Sequence, residues 1–210
     1  MNSIAAFDFD GTLTTKDSLL EFLLFTQGKA KTYLGLLLLS PCILMMLLHI
    51  IDNNRCKEIL LSYFFKGMPY EHFKELGLQF ADCLCMPTTK ESGTFNFQFS
   101  IFNKETLSTL RQHLADGHHV YIISASVDEW VRPIAQRLGV TDVLCTHLAV
   151  GADGRLTGKY DGNNCHGQEK VNRLLAVEPH RDEYYLYAYG DSSGDKQLFA
   201  LADEYQKIEH

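Results

Sequence analysis

The sequence predicts an α/β fold: a core with a parallel sheet, carrying an inserted helical cap. Three observations support this. Short apolar runs at Ile4–Phe9, His119–Ile123 and 183–191 read as buried strands, and helical patterns alternate with them. The first and third runs lead into aspartates, in "DFDGT" and "YGDSS". Residues 17–85, between the first two runs, read as helical throughout.

The core helices are expected at Lys104–Ala115, Val127–Leu138, Glu169–Ala176 and Lys196–Asp203. In "AVGADGRLTGKYDG", residues 149–162, Asp153-Gly154 stands between strand-like arms and predicts a β-hairpin attached to the core. Pro69 suits a helix start within the cap. The boundaries that follow are 1–16 and 97–210 for the core and 17–96 for the cap. Residues 93–101 alternate apolar and polar like a strand but have no assigned place. The chain stops 15 residues after Asp195, so a final edge strand is expected to be missing.

With 210 residues, 46% hydrophobic and 21% charged, the chain has ordinary globular composition. A net charge of −7 argues against a general nucleic-acid binder, which needs a basic face. The six cysteines, at 42, 56, 83, 85, 145 and 165, form no C-x-x-C pair and no zinc spacing with histidine. They are expected to be reduced structural thiols. The N-terminus shows no basic segment followed by an apolar stretch, so a cytoplasmic protein is expected.

The stretch "YLGLLLLSPCILMMLLHII", residues 33–51, carries no charge over 19 positions. Length alone makes it a transmembrane candidate. A single crossing would separate Asp8 from Ser124 and Asp191, which the chemistry below needs together. Pro41 also splits the run into pieces too short to span about 30 Å of hydrocarbon. Two expectations survive. Either these are buried cap helices, the preferred reading, or they form a hairpin that dips into one leaflet at the inner face of a membrane.

Asp8 and Asp10 carry the chemistry. Side chains two apart on a strand share a face, and ligands of open α/β sheets bind beyond the carboxyl ends of the strands. Both carboxylates should therefore meet in one crevice, with Gly11 turning the chain away and Thr12 holding the turn. Mg²⁺ suits such a pair, because it accepts one or two carboxylates and keeps phosphate oxygens among its other ligands. An aspartate beside it can attack phosphorus. Ser124 ends the second strand, where its hydroxyl and the backbone near Ala125 can bind a phosphate oxygen. Lys170, near a helix start, can neutralise transition-state charge. Asp191 would be a third acid for the metal, and Asp195 would order its loop or Lys170. A calcium loop also begins with D-x-D-G, but it wants an acid and a bidentate glutamate where Thr12 and Leu19 stand.

Taken together, Asp8-Phe9-Asp10-Gly11-Thr12, Ser124, Lys170 and Gly190-Asp191-Ser192-Ser193-Gly194-Asp195 resemble the four motifs of the haloacid dehalogenase (HAD) superfamily of phosphohydrolases. The inserted cap and "DGRLTGKYDG" followed by "CHGQEKV" are similar to the phosphoserine-phosphatase-like branch, subfamily IB. The resemblance implies a Rossmann-like HAD core with a C1-type cap. It makes Asp8 the nucleophile that forms an aspartyl-phosphate and Asp10 the general acid/base. It gives Mg²⁺ the side chains of Asp8 and Asp191 and the backbone carbonyl of Asp10. Gly11, Thr12, Ser124, Ala125 and Lys170 would surround the phosphate. Phosphoserine phosphatases read the substrate amine with a glutamate nine residues after the nucleophile, where this chain has Asp17. They also place a cap arginine shortly before a proline-started helix. Here the nearest is Arg55, about two helical turns upstream of that place. The apolar cap and the placing of Lys170 look closer to bacterial phosphatidylglycerophosphate phosphatases.

The expected function is a Mg²⁺-dependent phosphomonoesterase acting on a small or lipid-borne phosphate. Phosphoserine phosphatase, a phosphotransferase with the same intermediate, and a non-catalytic Mg²⁺ or phosphate-binding module are the alternatives.

Overall fold

A computed structural model describes residues 2–48, 50–85 and 101–209. A six-stranded sheet runs in the order β4-β3-β2-β1-β5-β6, comprising β1 Asn2–Phe7, β2 His119–Val127, β3 Asp142–Val150, β4 Leu156–Asp161, β5 Tyr184–Gly190 and β6 Glu204–Lys207. All neighbours are parallel except β3 and β4, which form the expected antiparallel hairpin. The edge strand β6 corrects the expectation that none would form. Its burial is slight, and "EYQK" offers no apolar run to read, yet it pairs with Tyr187–Gly190 through the backbone.

The central strands are apolar on both faces because both faces are covered. On β1 and β2, Ala5, Phe7, Val120 and Ile122 pack into one cluster, and Ile4, Ala6, Tyr121 and Ile123 into the other. Helices α5 (Lys104–Ala115) and α6 (Asp128–Arg137) contribute to the first, through Leu110 and Trp130 among others. Helices α7 (Gln168–Val177) and α8 (Lys196–Leu201) contribute to the second, through Leu174 and Leu198. The chain starts in mid-sheet, builds outwards through β2 and β3, and then returns to the other side of β1. This puts the topological switch between β1 and β5, where a ligand crevice is expected.

The cap comprises α1 (Ser18–Leu38), α2 (Ser40–Leu47), α3 (Asn53–Phe65) and α4 (Tyr70–Cys85). It shares the first core cluster. Phe22 of α1 stacks on Trp130 of α6 at 4.6 Å between ring centroids, and Phe65, Phe73 and Phe80 also surround Phe22. Gly28, at φ +73°, breaks α1 into two pieces. A second bend of 58° separates α1 from α2. No single helix among the described residues is long and apolar enough to cross a membrane. The preferred expectation for residues 33–51 is overturned, however. Cys42 and Gly35 are buried, but most large apolar side chains of this stretch face outwards. The alternating segment at 93–101 and the boundary at 96/97 fall almost wholly outside the described residues.

All six cysteines are free. Cys42 and Cys56 join α2 to α3, with their sulfurs 3.5 Å apart.

Candidate active site

Strand β1 stops at Phe7, one residue short of the motif. Asp8 is extended, and its amide still donates to the Tyr189 carbonyl of β5 at 2.8 Å. The chain then enters a tight turn, Phe9–Leu13, in which Gly11 takes φ +74°. A Cβ there would strike the Asp191 carboxylate, so glycine serves both the turn and the close approach of the β5 loop. Thr14, not Thr12, ties the turn. Its hydroxyl donates to the carbonyls of Phe9 (3.2 Å) and Lys16 (2.8 Å). The Thr12 hydroxyl is buried without a hydrogen-bond partner among the described residues, and it does not line the crevice.

The crevice beyond β1, β2 and β5 holds about 380 Å³. It is lined by the expected Asp8, Asp10, Gly11, Asp17, Ser124, Ala125, Lys170 and Asp191. Asp8 and Lys170 are buried, and Lys170 Nζ lies 2.7 Å from Asp8 Oδ1 and 2.6 Å from Asp195 Oδ1. Asp8 Oδ1 also accepts the Phe9 amide at 2.8 Å. Asp195 is wholly buried, and its other oxygen accepts from the amides of Asp191 and Ser192 and from the Ser192 hydroxyl. It therefore holds the loop after β5 and one side of Lys170 at once.

Asp10 lines the same crevice as Asp8, although the turn after β1 and not the strand itself brings it there. Its carboxylate turns towards the cap. Oδ1 accepts the Ser18 amide at 2.7 Å, and Oδ2 accepts the Ser126 hydroxyl at 2.5 Å. Ser18 Oγ donates to Ser126 Oγ and in turn accepts from Trp130 Nε1, so the buried core fixes the Asp10 carboxylate. Asp17 caps α1 by accepting the Leu20 amide at 3.1 Å. Ser124 Oγ accepts the Ser126 amide at 3.0 Å.

Electrostatics leave the crevice short of positive charge. Burial pushes the Asp8 carboxyl up to about 7, and Asp195 and Asp10 add to this while Lys170 opposes it. Burial and Asp17 likewise raise Asp10, with Lys57 and the bonds from Ser126 and Ser18 opposing. Burial works against the Lys170 ammonium, but Asp8 and Asp195 outweigh it and hold the lysine charged. Carboxylate oxygens of Asp8, Asp191 and Asp195 lie within 4.8 Å of one another. Buried hard oxygen donors with too few cations suit a divalent metal. These three carboxylates could hold such a metal, and Asp195 is in addition bonded to Lys170 and to its own loop.

Five lining residues were not singled out in the sequence: Thr15, Lys16, Asn53, Lys57 and His166. Asn53 and Lys57 stand four apart on α3 and so share a face. Among the described residues, Lys57 is the cap cation that lines the crevice. Arg55, on another face of α3, lies outside the crevice and pairs with Glu58 at 2.5 Å. His166 lies in the loop between β4 and α7, in "CHGQEKV", and stands next to the Gly194 backbone.

An aspartate just beyond a strand end, a buried lysine beside it and an acidic loop from the neighbouring strand are the arrangement expected of a hydrolase of the HAD type. The comparison with known families agrees. The family described as haloacid dehalogenase-like hydrolase matches residues 5–200, and the chain belongs to that family. It is an enzyme of the phosphatase type within it. Protein CicA of Caulobacter vibrioides is 35% identical over 203 residues, covering 96% of this chain and 83% of that one. A Bordetella pertussis Tohama I protein of unknown function superposes with a TM-score of 0.76 at 19% identity, covering 98% of this chain and 89% of that one. A substrate-bound phosphoserine phosphatase complex superposes with a TM-score of 0.62 at 17% identity, covering 98% and 85%. The last two likenesses are of fold.

Proposed function

We propose that the protein is a Mg²⁺-dependent phosphomonoesterase that works through an aspartyl-phosphate on Asp8, with a small or lipid-borne phosphate as substrate. The observation that carries this is the pairing of Asp8 with Lys170 at 2.7 Å beside Asp191 in one crevice. Asp8 Oδ1 is engaged by Lys170 and the Phe9 amide, which leaves Oδ2 to attack phosphorus. As the bond from Oδ2 to phosphorus forms, the ester oxygen departs with its electron pair. Asp10, whose carboxyl burial favours in the protonated form, gives that oxygen a proton. The Asp10 carboxylate then takes a proton from water. The water oxygen attacks the phosphorus, and Asp8 leaves as carboxylate.

Lys170, Ser124 and the backbone near Ala125 face the phosphoryl oxygens in this reading. Asp8 and Asp191, with the Asp10 carbonyl, would hold Mg²⁺, which supplies positive charge against the phosphate as it gains charge. Phosphoserine is not favoured, because Arg55 lies outside the crevice and Asp17 is used as a helix cap.

The test is turnover of a phosphoester panel that includes lipid phosphates in detergent. Hydrolysis should vanish in excess chelator and return with Mg²⁺. Acid-quenched enzyme should carry a phosphoryl group on the Asp8 peptide. Full turnover in chelator, or label on another residue, would refute the mechanism.

A further inference from the structure

We infer that the second half of α1 together with α2 is a membrane-docking surface that fits an anionic lipid bilayer. From residue 29 onwards these helices have the burial pattern of amphipathic helices but not the composition. Thr32, Gly35 and Cys42 face inwards. The outward positions are just as apolar. Leu34, Leu37 and Leu38 on α1, Leu44 and Leu47 on α2, and Leu48 at its C-terminal cap are each more than half exposed, and Leu37 reaches 68%. The spacing of three and four within each helix gathers them into one stripe per helix. Soluble monomers rarely expose a contiguous patch of this kind. An outer face that avoids charge over 19 residues suits a medium other than water.

Length and charge select the kind of medium. The pieces 29–38 and 40–47 are roughly 15 and 12 Å long and meet at a bend, so neither spans a bilayer of about 30 Å. They can lie in its interface. Cations border the patch although the whole chain is acidic. Lys29 and Lys31 are exposed at the start of the second piece of α1. At the other border, a cavity of about 310 Å³ is lined by Leu39 together with Arg55, Lys66 and Lys159. Among the described residues, Glu58 is the one acid lining it. An apolar face with basic margins is complementary to acyl chains beneath anionic headgroups.

Helix α3 borders both this cavity and the active-site crevice, through Arg55 on one side and Asn53 and Lys57 on the other. Docking would therefore bring the crevice close to lipid headgroups. A substrate whose phosphate is carried on a lipid follows from that, and this last step rests on the phosphatase reading above. The docking itself does not.

The experiment is flotation of the full chain with phosphatidylcholine vesicles, with and without phosphatidylglycerol. Wild type should float with the anionic vesicles. Lys66→Ala/Lys159→Ala should bind them about fivefold more weakly for each charge removed. Leu47→Glu/Leu48→Glu should lose flotation at least tenfold and keep its melting temperature. A gentler variant, Leu48→Trp, gives a second readout independent of that fold. Its fluorescence should be quenched by brominated lipid, while Trp130, fully buried, is not. The inference is overturned if wild type fails to float and Leu48→Trp is unquenched. It is also overturned if wild type is a stable dimer that Leu47→Glu/Leu48→Glu converts to monomer without any vesicle binding, since the patch would then be a contact between copies. Flotation does not depend on turnover, so an inactive protein that floats leaves the docking surface standing.

Discussion

Lys170 and Asp8 form an ion pair of 2.7 Å at a place where the lysine side chain is 2% exposed. The same ammonium lies 2.6 Å from Asp195. One cation thus serves two buried carboxylates. Removing it leaves both without compensation, which typically costs about 3–5 kcal/mol. Lys170→Met should lower the unfolding free energy by about 3 kcal/mol in urea titrations. It should also reduce kcat by more than a hundredfold. Wild-type turnover in a folded Lys170→Met protein would show that Asp8 does not need this partner.

Ser126 is expected to position Asp10 without touching substrate. Its hydroxyl donates to Asp10 Oδ2 and accepts from Ser18, which is tied to Trp130. A hydrogen bond to a charged group contributes about 1.5–3 kcal/mol. Ser126→Ala should therefore lower kcat by roughly ten- to a hundredfold, where about 1.4 kcal/mol is tenfold, with KM little changed. The alkaline limb of the rate profile should move to higher pH as well, because the proposed reaction starts with Asp10 protonated and the bond from Ser126 favours its ionised form. A variant that changes KM alone would remove Ser126 from this role.

Gly11→Ala tests the approach of two loops. The left-handed backbone costs a residue with a Cβ about 1–2 kcal/mol, and the methyl would meet the Asp191 carboxylate. The variant should melt several degrees lower and lose most of its activity. Extra Mg²⁺ should restore part of that activity if displacement of Asp191 is the cause. A variant with normal activity would show that the Asp191 loop can give way without consequence.

The strands and the core helices were legible because they are apolar runs and amphipathic repeats bounded by clear breaks. Lys104–Ala115 agrees with the sequence reading to the residue. Asp8 and Asp191 were legible because they follow strand ends, whereas Ser124, expected at the end of the second strand, lies within β2, whose pairing with β3 shifts register just after it. Asp8 and Asp10 meet in one crevice as expected, but a turn and not strand alternation brings them there, since β1 ends at Phe7. Asn53 and Lys57 were missed because a cap lysine looks like any solvated helix charge until the tertiary fold aims it. Strand β6 was missed because an exposed edge strand needs backbone partners and no apolar pattern. The apolar stretch in the cap was read as buried because composition alone cannot separate a core helix from one whose outer face is greasy.

His113 gives a prediction about stability that is independent of the active site. Its ring is buried beneath the sheet, with Nδ1 2.7 Å from His118 Nδ1 and Nε2 2.8 Å from the Tyr189 hydroxyl. Burial, followed by the neighbouring His118, lowers its pKa below the ordinary 6.5, and Asp116 opposes this only in part. Well above pH 6.5, His113 is neutral in both folded and unfolded chains and contributes no pH dependence. As the pH falls through 6.5, the unfolded chain takes up a proton that the folded chain resists. Stability must therefore fall, and it continues to fall until the folded-state pKa is passed. Urea titrations at pH 7.5 and 5.5 should show wild type losing stability at the lower pH. His113→Gln should be less stable at pH 7.5 because it gives up the Tyr189 contact, yet it should lose less between the two pH values. Subtracting the two proteins removes titrating groups that they share, including His166, whose pKa burial and Lys170 also lower. Equal losses in both proteins would mean that His113 titrates alike in the folded and unfolded chains.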